Sequence, residues 1–177
     1  DTHGIVYTPQ PIVAFMVAAV DDALRREFGY GLDAPDVVTI DPCTGTGSFI
    51  VHLLQRLAVS NPAALKDAYR ERLFANEVLL MPYYVASLNI EHAYSELAGQ
   101  REPFEGLVLA DTLDLAESDQ MKLGFMNEDN AERVEREKGA PITVIIGNPP
   151  YNVGQLSEND NNKNRKYDVI DKAVKDT

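Results

Sequence analysis

Behind Thr8-Pro9, which reads as an N-cap followed by a first-turn proline, apolar residues recur at helical spacing: Ile12, Phe15, Met16, Ala19, Val20, Ala23 and Leu24. This spacing predicts an amphipathic helix over 9–28, ended by Gly29-Tyr30-Gly31. Val37-Val38-Thr39-Ile40 follows as a short buried strand, and helical period resumes from Phe49 to Ala58. Asn61-Pro62 breaks the chain, a short helix is expected over 63–71, and residues 72–77 read as a second strand with an acidic tip. The next helix runs from about Pro82 to Ala98 and stops at Gly99, with Tyr83 and Tyr84 expected in the core. Leu107-Val108-Leu109-Ala110 is a third strand. Residues 114–140 are polar and charged, a solvated connection helical only in its last part, and 142–146 reads as a fourth strand buried on both faces. After Tyr151 the stretch "GQLSENDNNKNRKYD" reads as loop. Strand and helix periods alternate throughout, which is the pattern of an α/β domain with a parallel sheet.

Composition narrows the class. At 177 residues, 45% apolar and 25% charged, the chain is the size of one globular domain. No stretch approaches the ~20 apolar residues of a membrane span, and "DTHGIVYTPQ" lacks the regions of a signal peptide, so a cytoplasmic protein away from membranes is expected. The first residue is not Met, and a piece of a longer polypeptide is expected. One cysteine, Cys43, and three scattered histidines, His3, His52 and His92, give no ligand set at zinc spacing, and no metal is expected. The formal charge of −12 has the wrong sign for a domain whose affinity comes from neutralising phosphates, so any grip on nucleic acid is local or lies elsewhere.

The four strands close on polar residues: Asp41, Glu77, Asp111 and Asn148. Each singly reads as a turn or cap residue. Together they occupy the carboxyl edge of a parallel sheet, where ligands of open α/β folds bind. "DPCTGTGSF", residues 41–49, puts Gly45 and Gly47 in a tight strand-to-helix turn. A phosphate loop needs a Gly-Lys-Ser/Thr ending that is missing here, and a dinucleotide fingerprint needs a small residue where Ile50 stands. A glycine turn with an acidic entrance suits a ligand carrying a cationic amine and an adenosine, the shape of S-adenosylmethionine.

"YTP" at 7–9, "DPCTGTGSF", the strand-end Glu77, "LADT" at 109–112 and "NPPY" at 148–151 resemble, in this order, the motifs of γ-class N6-adenine DNA methyltransferases. "GIVYTPQPIVAFMV", "ANEVLLMPYYVASLNIEHAY" and "IIGNPPYNVGQLSENDNNKN" are similar, more narrowly, to the methyltransferase region of type ISP restriction–modification enzymes. The resemblance implies a Rossmann-like S-adenosylmethionine-dependent methyltransferase fold, with a partial parallel sheet in strand order 3-2-1-4 and flanking helices. It makes residues 1–177 the catalytic part of the domain and leaves the target-recognition domain, a nuclease and a helicase-like motor to other parts of the polypeptide. Strand 4 would then be an unprotected edge, inviting a dimer or aggregate.

Residue roles follow from the same resemblance. Tyr7, Thr8 and Pro9 would close over the methionine end of the cofactor, and Asp41, Thr44, Gly45 and Gly47 would shape its pocket. Glu77 would accept both ribose hydroxyls and Asp111 the adenine amine. The Asn148 side-chain oxygen and the Pro149 carbonyl would hold the hydrogens of the target amine, freeing its lone pair. Pro149 and Pro150 would stiffen the turn, and Tyr151 would stack on a base flipped out of DNA. No covalent enzyme intermediate is needed, so Cys43 reads as a small turn residue. Competing activities are methylation of a protein glutamine or of RNA guanine N2, and outside catalysis a methyltransferase-fold scaffold.

Overall fold

A computed structural model describes residues 8–117, 128–149 and 168–176. In chain order these form α1 (Gln10–Phe28), β1 (Thr39–Asp41), α2 (Ser48–Ser60), α3 (Pro62–Asp67) and a π-helical turn (Ala68–Arg72). There follow β2 (Leu73–Glu77), α4 (Leu80–Ala98), β3 (Leu107–Leu109), α5 (Thr112–Glu117), α6 (Glu128–Gly139), β4 (Val144–Ile145) and α7 (Asp168–Lys175). The strands form one parallel sheet in the order β3-β2-β1-β4, as the resemblance implied. Thr39 pairs with Leu73 on one side and Val144 on the other, and Ala75 pairs with Leu107.

Chain order explains the layers. The crossovers from β1 to β2 and from β2 to β3 step in one direction, so α2 and α4 share a face of the sheet. There Ile50, Leu53, Leu54 and Leu57 of α2 and Ala86, Ile90 and Tyr94 of α4 pack with Val13 and Val17 of α1 and with Val144 and Ile146. The step from β3 to β4 runs the other way and carries α6 to the opposite face, where Val134 packs on Val108 and Ala110. Direction reverses between β1 and β4, which is the switch point where such sheets open a crevice. Glycine ends the two longest helices as expected: Gly29 and Gly99 are left-handed and their N–H groups bond to Arg25 and Ser95 carbonyls. Among the described residues no helix is long and apolar enough to cross a membrane.

Several expectations are corrected. The buried stripe of α1 runs through Val13, Val17 and Asp21, while Ile12 and Phe15 are exposed, Phe15 at 71%. The stripe is rotated because Asp21 belongs to it: its carboxylate accepts the Leu32 N–H and pairs with Arg56 and Arg25. An apolar count could not include an aspartate. Pro9, not Thr8, occupies the N-cap position, with no side-chain cap. Tyr84 is 56% exposed, whereas Tyr83 packs against the core and its hydroxyl accepts from Arg133. The strand expected to be buried on both faces leaves Ile145 73% exposed, because β4 is an edge and α6 sits over β3. The connection expected to be helical only near its end also contains α5 at its start. Most of the loop expected after Tyr151 lies outside the described residues.

Candidate active site

β1 ends on Asp41, and the chain turns through Thr44 to Gly47 into α2. Gly45 and Gly47 have φ of 57° and 86°, a conformation in which a β-carbon is strained. Their surroundings differ. A Cβ on Gly47 would press on Ile90 at 3.0 Å, so this glycine also lets α2 approach α4, while nothing lies within 4 Å of the Cβ direction at Gly45. Open space above a backbone turn is what a ligand needs in order to approach it closely.

Glu77 closes β2 and fixes the turn. Its Oε2 accepts the Gly45 N–H at 2.9 Å and its Oε1 the Leu79 N–H at 2.7 Å, while the neighbouring Asn76 carbonyl accepts the Thr44 N–H at 2.9 Å. Burial raises the Glu77 carboxyl, opposed by these backbone donors. Asp41 is fully buried and accepts the Cys43 N–H at 3.2 Å. Burial pushes its carboxyl up to about 7, and the Glu77 charge adds to that rise; the Cys43 N–H and the Thr44 hydroxyl beside it oppose the rise. Among the described residues neither Asp41 Oδ2 nor Thr44 Oγ1 has a hydrogen-bond partner of good geometry. The Cys43 thiol is pushed up to about 11 by burial and by the charges of Asp41, Glu77 and Asp111. It is therefore a poor nucleophile near neutrality, as the sequence suggested.

Asp111 follows β3 and begins α5: its carboxylate accepts the Leu113 N–H at 3.0 Å and its carbonyl the Leu115 N–H. The plainer reading of Asp111 as a turn residue therefore holds, beside whatever else it contacts. On the other side Asn148 is half-buried and Pro149 exposed at the end of β4. At the N-terminus Thr8 is half-buried and Pro9 exposed, and Gln10 reaches Ser48 at 3.5 Å, which brings the start of α1 to the start of α2. Tyr7, Pro150 and Tyr151 lie outside the described residues. Asp41 and Glu77 end their strands as expected, whereas β3 stops at Leu109 and β4 at Ile145, so Asp111 and Asn148 stand just past theirs; the sheet order sets the strands leading to them in the line Asp111, Glu77, Asp41, Asn148. At the usual spacing of neighbouring strands the four strands span about 14 Å.

Two features escaped the sequence reading. A Cβ on Gly147 would collide with Asp41 Oδ1 and crowd Pro42, so only glycine lets β4 close against the Asp41 turn. A glycine immediately before "NPP" at a strand end was the available signal. The second is a polar chain from half-buried Pro42 and Thr112 through buried Asn76 to Glu137. Its members are far apart in sequence, and no local pattern joins them.

A family model described as N-6 DNA Methylase matches residues 1–177. Among solved structures the chain is similar to the DrdV–DNA complex determined by cryo-electron microscopy, at 46% identity and a TM-score of 0.88 over 98% of this chain. It is also similar to a nuclease-deletion mutant of the Type ISP restriction-modification enzyme LlaGI in complex with a DNA substrate mimic, at 42% identity, TM-score 0.89 and 98% coverage. The ATP-dependent Type ISP restriction-modification enzyme LlaBIII bound to DNA matches at 38% identity, TM-score 0.86 and 97% coverage. The chain spans 17%, 15% and 12% of the lengths of these three. No curated protein matches it at a significant level.

Proposed function

The chain belongs to the N-6 DNA methylase family, and from that premise we propose that it binds S-adenosylmethionine and transfers a methyl group to the N6 amine of adenine in DNA. The observation that carries the reading is the line of strand ends. The strands leading to Asp111, Glu77, Asp41 and Asn148 lie side by side in the order in which an adenine amine, a ribose, an amino-acid end and a methyl acceptor would have to be met, which supports the reading. The residues fit such a ligand: an Asp41 oxygen and a Thr44 hydroxyl that lack a well-aligned partner among the described residues suit a cationic amine, and the open side of Gly45 admits a close approach. When bound, the cofactor supplies an electrophilic methyl group on sulfur.

The chain's own residues do the rest. Glu77, already held by two backbone N–H groups, keeps further lone pairs for two hydroxyls. Asp111 would accept from the adenine amine, and Thr8 and Pro9 with Tyr7 would cover the amino-acid end. An amine conjugated to a base is a poor nucleophile; Asn148 and the Pro149 carbonyl would accept its two hydrogens and localise its lone pair. Prolines 149 and 150 would stiffen that turn, and Tyr151 would stack on the extruded base. With 28 acidic against 16 basic residues, the surface that reads DNA lies elsewhere in the protein. On this reading residues 1–177 are the catalytic part of a longer restriction–modification polypeptide that also carries nuclease and helicase-like parts, and it works in the cytoplasm.

The test is methyl transfer from radiolabelled S-adenosylmethionine by the full-length protein, offered DNA, RNA and protein together. Label is expected in N6-methyldeoxyadenosine, falling at least 100-fold, on the order of the loss when a transition-state acceptor is removed, in Asn148→Ala. Label only in protein glutamine or RNA guanine would overturn the proposal.

A further inference from the structure

Asn76 is completely buried in β2, one residue before Glu77. Its side-chain amide donates to Glu137 Oε1 at 2.8 Å and to Thr112 Oγ1 at 3.1 Å, and the Thr112 hydroxyl donates to the Pro42 carbonyl at 2.6 Å. Its backbone carbonyl meanwhile holds the Thr44 N–H. Each link of this chain is the immediate neighbour of a residue at the candidate site: Pro42 of Asp41, Asn76 of Glu77, Thr112 of Asp111. The far end is a carboxyl on α6, the helix packed on Val108 and Ala110 of the sheet.

We propose that Glu137 is a positioning residue, holding Asn76 and, through it, Thr112 so that Asp41, Glu77 and Asp111 keep a fixed spacing for the cofactor. This rests on the cofactor reading above. A merely structural role accounts less well for the choice of residue. One turn earlier on the same helix, Val134 fills the core with no polar atom to satisfy. Glu137, by contrast, buries a carboxyl whose burial raises its pKa against the Asn76 hydrogen bond, and its Oε2 has no partner among the described residues. Such a group is costly in a core and specifies geometry when its partners are fixed. α6 is itself tied to the sheet at its start, where the Asn130 amide bonds to both the N–H and the C=O of Leu109. Glu137 is thus anchored by its helix.

The experiment titrates S-adenosylmethionine calorimetrically into the full-length natural protein and its variants, beside thermal melts. Glu137→Ala is expected to weaken binding roughly 10-fold, the scale of a hydrogen bond to a charged group. Glu137→Gln, whose amide oxygen can accept the same N–H, should stay within about 3-fold of the natural protein. Val134→Ala should lower the melting temperature at least as far as Glu137→Ala while leaving affinity unchanged, because its cost is a cavity. Thr112→Val should weaken binding and fail to add to Glu137→Ala, which keeps the test open if Glu137→Ala does not fold. Natural affinity in Glu137→Ala or Thr112→Val, or an affinity loss in Val134→Ala that tracks its melting temperature, overturns the proposal. Absence of binding by the natural protein overturns the cofactor reading itself, a different result.

Discussion

Asp41 is held where ionisation is unfavourable, and this has a sign that can be measured. In the unfolded chain its carboxyl loses its proton near ~3.9, but in the fold burial keeps the proton to about 7. Between those values the folded state binds more protons, so this group lowers stability as pH rises, with the full penalty present above 7. Asp41→Asn is therefore expected to stabilise the fold at pH 8 by up to about 4 kcal/mol and far less near pH 3, while weakening cofactor binding. Thermal melts across that pH range check the first part, and equal melting temperatures at pH 8 would count against it. Asp21 behaves oppositely. Burial raises its carboxyl, but Leu32 N–H, Arg56 and Arg25 outweigh it and lower the net value, so its contribution is present above the ordinary carboxylate range and lost as pH falls below it. Of these two aspartates only Asp41 was legible in the sequence, since it closes an apolar strand. Asp21, Asn76, Glu137 and Gly147 were not, because what makes each of them necessary is a partner brought close only by folding.

At the scale of elements, the long helices and their glycine ends were legible, and so was the strand order once the motifs were placed. The face that each element buries was read less well. α1 turns its aspartate inward, and β4 shows one face to solvent, because burial depends on which neighbour arrives. α6 illustrates the same limit: from a highly charged sequence it buries only Asn130, Val134 and Glu137. Asn130 meets β3 along its unpaired edge and bonds to Leu109 at 2.9 Å and 3.2 Å, much as another strand would. Asn130→Ala is expected to cost about 1–2 kcal/mol and to make the protein associate through β3. A lowered melting temperature together with concentration-dependent light scattering would bear this out. An unchanged melt and a monodisperse solution would refute it.

At the scale of the whole molecule, the sheet presents two unequal edges. β3 is blocked by side chains of α6, whereas β4 carries the exposed Ile145. The strand ends proposed to meet the cofactor and the exposed edge of β4 are thus separate, and on that reading binding of cofactor and transfer to DNA should be separable too. Residues 1–177 produced alone are expected to bind S-adenosylmethionine within about 10-fold of the full-length protein and to leave DNA unmethylated. Calorimetry and nucleoside digestion test the two halves. Methylation by the isolated residues would place target reading within them, against the acidic charge.

The sheet order also sets a schedule. β1, β2 and β3 pair with one another, and Asp41, Glu77 and Asp111 all precede residue 112 in the chain. α6 follows and brings Glu137 to Asn76, and only then does β4 arrive to pair with the waiting edge of β1. A chain leaving the ribosome from its N-terminus therefore has the three carboxylates proposed to meet the cofactor before it has Asn148. On the proposed reading, the nascent protein would acquire a place for the methyl donor first and the means of using it last.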